Sequence, residues 1–188
     1  MDKKIQKRSL ETRDRIIEAT RNLFVKHGRE NVSTDQIAAA ANVAKGTIFA
    51  HFSDRANLEA AVTLDDLDAI LSRVANYNAQ LRGRDWIIAA YGQMLTEFEA
   101  DPDVAKTFVR QTLIGDGEWT TLFNQKCLNF ETLIVAKLDV AYPGQDVAVL
   151  LGGAQAFFLQ ILAYRNADWI SFAEAKTRLA QYLQRWLP

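Results

Sequence analysis

Apolar residues recur at three- and four-residue spacing along almost the whole chain, and no run alternates apolar with polar residues in a composition suited to a strand. That periodicity leaves an all-α fold. The first helix runs from about Thr12 to His27, with Ile16, Thr20, Leu23 and Phe24 on one face and Gly28 as its terminator. Ser33-Thr34-Asp35-Gln36 reads as a capping box, in which the Ser33 side chain accepts from the backbone near Gln36 and the Gln36 side chain reaches back. A short helix from Thr34 to about Ala41 follows. Asn42-Val43 then turns the chain, since Asn tolerates the left-handed conformation, into a second short helix from Ala44 to about His51. Ile48 and Phe52 are its inward residues, which leaves Lys45, Thr47, Ala50 and His51 outward. Ser53-Asp54 caps a long helix through Leu58, Val62, Leu67, Ile70, Leu71 and Val74.

Further helices are expected over residues 84–100, 103–114, 118–141, 146–166 and 171–187. The breaks between them are Asp101-Pro102, Gly115-Asp116-Gly117, Pro143-Gly144 and a second capping box at Ser171-Phe172-Ala173-Glu174. The chain has no internal repeat. With 188 residues, 49% of them hydrophobic, it can bury a sizeable core. One cysteine, Cys127, excludes an internal disulfide, and the lysine-rich start lacks the apolar stretch of a secretory signal, so a cytoplasmic location is expected. The uncharged run Val147–Tyr164 is near the length of a membrane span. It reads instead as a buried helix of a soluble protein, because it carries Gln155, Gln160 and Gly152-Gly153 and stands alone. Charge is unevenly placed: residues 1–57 hold 11 Lys+Arg against 7 Asp+Glu, or +4, and the rest holds 11 against 16, or −5. A basic head on an acidic body suits a protein that sets one end on a polyanion.

Two short helices joined by a tight turn, the second with outward Lys, Thr and His, form a helix-turn-helix pattern, whose second helix fits the DNA major groove. Arg15-Ile16-Ile17-Glu18-Ala19 through Leu23-Phe24, then Gly28, Ser33–Ala38, and Val43-Ala44-Lys45-Gly46-Thr47-Ile48-Phe49-Ala50-His51-Phe52 closely resemble the DNA-binding domain of the tetracycline-repressor (TetR/AcrR) family, over about 50 ordered positions without a gap. The resemblance implies a DNA-binding domain over residues 1–57 and a helical ligand-binding and dimerisation domain over residues 58–188. It implies phosphate contacts from Ser33 and Thr34. Lys45 would head the recognition helix and reach phosphate or guanine, Gly46 would allow close backbone approach, and Thr47 would meet a base or a thymine methyl. His51 and Arg55 would contact phosphate, and Lys3, Lys4, Lys7 and Arg8 would form a flexible arm. The chain departs from the family pattern at Ala44, Phe49 and Ala50, where Ser, Tyr and a long polar residue are common. Each change removes a hydrogen bond, and Phe49 is left as an apolar DNA contact.

The remaining residues carry a weaker signal. Trp86, Tyr91, Met94 and Phe98 fall on one expected helix, Phe108 on the next, and Trp119, Phe123, Cys127 and Phe130 on a third. Their spacing fits plain core packing. With the family resemblance, Trp86, Tyr91, Met94, Phe98, Phe108, Trp119, Phe123 and Cys127 imply a pocket for a small hydrophobic or aromatic effector, with Arg110 and Gln111 as polar anchors. The last two helices resemble the family's dimerisation pair: Gly152, Gly153 and Ala156 allow close approach, and Phe157, Leu179, Tyr182, Leu183 and Trp186 supply bulk for a homodimer. The expected partners are thus double-stranded operator DNA, a small-molecule effector and a second copy, with no membrane. The alternative is a DNA-binding regulator controlled by a protein partner, or by no effector. Catalysis is not expected: G-x-S-x-G, H-E-x-x-H and paired metal-ligand spacings are absent from the sequence. Asp65, Asp66 and Asp68 read as a solvated face, since only Asp65 and Asp68 share a side of the helix. No cofactor or metal is expected.

Overall fold

In the computed structural model, which describes residues 3–77, 80–115 and 117–188 and side chains from residue 7 onward, every regular element among the described residues is helical. In chain order these are α1 (Lys3–His27), a 3-10 turn (Arg29–Asn31), α2 (Thr34–Ala41), α3 (Lys45–Phe52), α4 (Arg55–Asn76), α5 (Gly83–Ala100), α6 (Pro102–Ile114), α7 (Gly117–Ala141), α8 (Val147–Asn166) and α9 (Phe172–Trp186). The chain divides into two compact units. The first takes Met1–Leu64 and Asp116–Thr121, and the second takes Asp65–Gly115 and Leu122–Pro188. The expected boundary after residue 57 therefore falls seven residues early, inside α4. A short piece of α7 also joins the N-terminal unit, which the sequence reading did not foresee.

Local chemistry explains the first unit. Gly28 takes φ 78°, and its N–H meets the Phe24 carbonyl at 2.8 Å to end α1. Both halves of the Ser33 capping box form, with Ser33 Oγ accepting from Gln36 N at 3.2 Å and Gln36 Oε1 accepting from Ser33 N at 2.7 Å. Asn42 is left-handed, at φ 53° and ψ 52°, as the helix-to-helix corner requires. Ile16, Phe24, Ile37, Ile48, Phe52 and Leu58 are buried together as the core of this unit. The basic N-terminal segment, expected as a flexible arm, is the start of α1; Lys7 pairs with Glu11 one turn on, and the side chains of Lys3 and Lys4 lie outside the described residues.

In the second unit α5 buries Trp86, Ile87, Tyr91, Met94, Leu95 and Phe98. Asp101 caps α6 through Val104 N, with Pro102 at its first position, and Asp146 caps α8 through Ala148 N and Val149 N. Of the second expected capping box only half forms, because Ser171 accepts from Glu174 N while the Glu174 carboxylate turns to Arg178. The expected turn at Gly115-Asp116-Gly117 includes Asp116, which lies outside the described residues. By length and composition α8 is apolar enough to cross a membrane; here it packs against α9 and α6 and buries Leu150, Leu151, Phe158, Ile161 and Leu162. Asp68 pairs with Lys126 at 3.0 Å, and among the described residues no three His, Cys, Asp or Glu side chains gather as metal ligands.

Candidate functional site

The expected reading pair is α2 and α3. Ile48 and Phe52 are each 1% exposed and fix α3 to the core, so its opposite side must face out. On that side Lys45, Gly46, Phe49 and Ala50 are exposed, and Thr47 and His51 are half-buried. Phe49 leaves 41% of its surface in water. A Cβ on Gly46 would meet nothing within 4 Å, so nothing within the chain demands glycine there. Thr34 is half-buried at the first position of α2.

Two expected DNA contacts have other employment. The Ser33 hydroxyl accepts from Gln36 N and donates to Gln36 Oε1 at 3.0 Å, so it completes the cap. Arg55 is turned inward: its guanidinium donates to the Val32 and Arg29 carbonyls and pairs with Glu59 at 2.7 Å. It also lies 5.6 Å from the Phe24 ring centroid. The planar fork of arginine suits such multiple bonding, and the sequence position alone did not disclose it. Sequence reading also missed Asp35, whose carboxylate holds Lys45 Nζ at 3.0 Å from each oxygen.

In the second unit the expected sensing residues separate into groups. Tyr91, Phe98, Phe108 and Phe123 are joined by ring contacts with centroids 5.0–6.2 Å apart, and Phe158 touches the first three. Phe158 was not among the expected residues. Its neighbour Phe157 was, and two adjacent residues on a helix lie about 100° apart and cannot face the same way. Met94 is buried near this cluster's helix face, and Gln111 is buried, but Arg110 is exposed and does not anchor the interior. Trp86 is buried beneath Lys137, whose Nζ is 4.3 Å from the ring centroid. Burial, then the nearby charge of Glu131, pushes the Cys127 thiol up to about 12, and the same two causes raise the Tyr91 hydroxyl. Burial raises the Glu131 carboxyl itself, against a hydrogen bond from Gln155 that lowers it.

Trp119 belongs to neither group. It lies in the first unit, stacked on Phe52 at 5.4 Å, with the Arg13 guanidinium 4.6 Å from its ring centroid and Arg13 bonded to Glu118. A separate cleft of about 240 Å³ opens at the ends of α5, α6 and α8, floored by Leu95, Phe98 and Leu162 and edged by Lys106 and Arg165. On the α8–α9 face Gly152 and Ala156 are exposed, and Phe157 packs on Tyr182 and Trp186 at 5.3 and 5.9 Å. Leu179 and Leu183 are 1% and 0% exposed within this one chain, so they belong to its own core and not to an outer face.

The family model described as "Bacterial regulatory proteins, tetR family" matches residues 16–62. An HTH-type transcriptional regulator of Staphylococcus aureus (strain bovine RF122 / ET3-1) is 33% identical over 174 residues, covering 86% of this chain and 92% of that protein. The chain belongs to the TetR family. TetR proteins are DNA-binding transcriptional regulators and not enzymes. Solved structures share the fold: a TetR regulator from Rhodococcus sp. RHA1 has TM-score 0.71 at 16% identity, covering 95% of this chain and 97% of that one. RolR in complex with resorcinol has TM-score 0.69 at 17% identity, covering 96% and 89%. FadR from Bacillus subtilis in complex with stearoyl-CoA has TM-score 0.66 at 13%, covering 92% and 96%.

Proposed function

We propose that this TetR-family regulator is a cytoplasmic repressor that binds a near-palindromic operator as a homodimer and leaves it when a small hydrophobic or aromatic effector enters the second unit. The observation that carries the DNA-reading half is α3 itself: Ile48 and Phe52 anchor it while Lys45, Gly46, Thr47, Phe49 and His51 line its open side. Thr34 adds a hydroxyl at the start of α2. With Ala44, Phe49 and Ala50 in place of polar residues, base reading rests on Lys45, Thr47 and apolar contact with thymine methyls. The aromatic cluster around Phe108 and Phe158 supports the effector class, with Gln111, Tyr91 and Glu131 as its polar atoms. RolR and FadR, which share the fold, were solved with an aromatic and an acyl ligand. The outer α8–α9 face of Gly152, Ala156, Phe157, Tyr182 and Trp186 supports the dimer, whose recognition helices would then lie about 34–36 Å apart.

The test begins by selecting duplexes from a random pool with the purified protein. The Lys45→Ala change is expected to weaken binding of the selected duplex by about 1–3 kcal/mol. Unchanged affinity at every salt concentration between 50 and 200 mM would remove Lys45 from the interface. Light scattering at micromolar concentration should return a dimer; a monomer would refute the two-fold reading.

A further inference from the structure

The basic excess of residues 1–57 does not sit on the reading pair. Between Thr34 and Phe52 the sequence holds one acid, Asp35, one base, Lys45, and His51. Asp35 and Lys45 meet symmetrically, Nζ lying 3.0 Å from both carboxylate oxygens, although their side chains are 71% and 50% exposed. An ion pair so exposed adds little to folding, because water screens it and two flexible side chains must be held. Its larger consequence falls on DNA. Contact with a phosphate, even with Lys45 still held by Asp35, would press the Asp35 carboxylate against the polyanion. Contact with a base edge need not, since an ammonium has three N–H groups and can keep two on Asp35 while the third meets guanine O6 or N7.

We infer that Asp35 is a specificity-determining residue, which withholds Lys45 from phosphate and aims it at a base, so that non-specific binding stays weak. This rests on the proposed reading that α3 enters the groove. Non-specific affinity runs almost wholly on phosphate neutralisation, and a neutral reading pair contributes none. Attraction to the backbone is then left to the bases outside the pair, such as Arg8 and Arg15 on α1, both exposed.

Fluorescence anisotropy tests this with two probes, a random-sequence 30-base-pair duplex and a duplex selected from a random pool by the parent protein, each titrated between 50 and 200 mM salt. Asp35→Asn should bind the random duplex about 3- to 10-fold more tightly, with a salt slope steeper by about 1. Its affinity for the selected duplex should change less than about 2-fold, so that discrimination falls. Adding Lys45→Gln to Asp35→Asn should return the random-duplex slope to the parent value. Equal gains on both duplexes, or a loss on either from a variant with the parent's circular dichroism, would overturn the assignment. A parent protein that prefers no selected duplex over the random one would overturn the reading of α3 itself; a parent and an Asp35→Asn variant that discriminate equally would overturn Asp35 alone.

Discussion

The guanidinium of Arg55 ties the start of α4 to the backbone just before α2, through the carbonyls of Val32 and Arg29, and holds Glu59 one turn along its own helix. Those carbonyls precede the Ser33 cap, so Arg55 sets the position from which α2 and then α3 depart. A lysine carries the same charge but cannot bond three separated acceptors in one plane. Arg55→Lys is therefore expected to destabilise the protein by about 1–3 kcal/mol, read as a lower urea midpoint, and the charge-removing Arg55→Gln to do the same while the salt slope of DNA binding stays at the parent value. The opposite pattern, intact stability with a reduced slope, would return Arg55 to the DNA backbone.

The two glycines of α8 separate packing within the chain from the proposed packing between chains. A Cβ on Gly153 would overlap ring atoms of Trp186, whose Nε1 donates to the Leu150 carbonyl at 3.0 Å. Gly153→Ala should push the indole off α8 and cost about 1–3 kcal/mol, visible as a lower urea midpoint and a red-shifted tryptophan emission. A Cβ on Gly152 meets nothing within 4 Å, so Gly152→Ala should leave that packing intact and weaken only the proposed dimer, read by light scattering on dilution. Equal stability of Gly153→Ala and parent would discount the Trp186 seat. At this scale the sequence was legible wherever a signal is local: Gly28, the Ser33–Gln36 box, Asn42 and Asp101-Pro102 mark real helix ends because the bonds they make reach only a few residues. It was silent where an element has two apolar neighbours. On α9 the spacing put Leu179 and Leu183 in one set with Tyr182 and Trp186, but could not say that the leucines face their own core. Arg110 and Gln111 are adjacent on α6, about 100° apart around the helix, and periodicity could not choose which turns inward. Arg55 with Val32 and Phe52 with Trp119 are pairings across 23 and 67 positions that no local pattern encodes.

Across the whole molecule the chain passes between its two units three times, within α4 after Leu64, after Gly115, and within α7 after Thr121. The first passage is α4, the element that follows α3 directly in sequence. The other two bracket Trp119, which stacks on Phe52, the last residue of α3, and is pinned by Arg13. The start of α7 therefore reaches the reading helix by a side-chain contact inside the first unit, while the rest of α7 carries Phe123, Cys127 and Glu131 in the second. An effector can shift operator affinity only by its unequal affinity for two states, and a coupling of about 1–3 kcal/mol corresponds to about 5- to 150-fold. If Trp119 transmits that coupling, Trp119→Leu should shrink the factor toward one while leaving effector affinity without DNA unchanged. The reciprocal measurement must agree, so saturating operator should weaken effector binding in the parent and not in the variant. Isothermal calorimetry with an effector confirmed on the parent, run with and without the selected duplex, reads both quantities. A variant that keeps the full factor would remove Trp119 from the route.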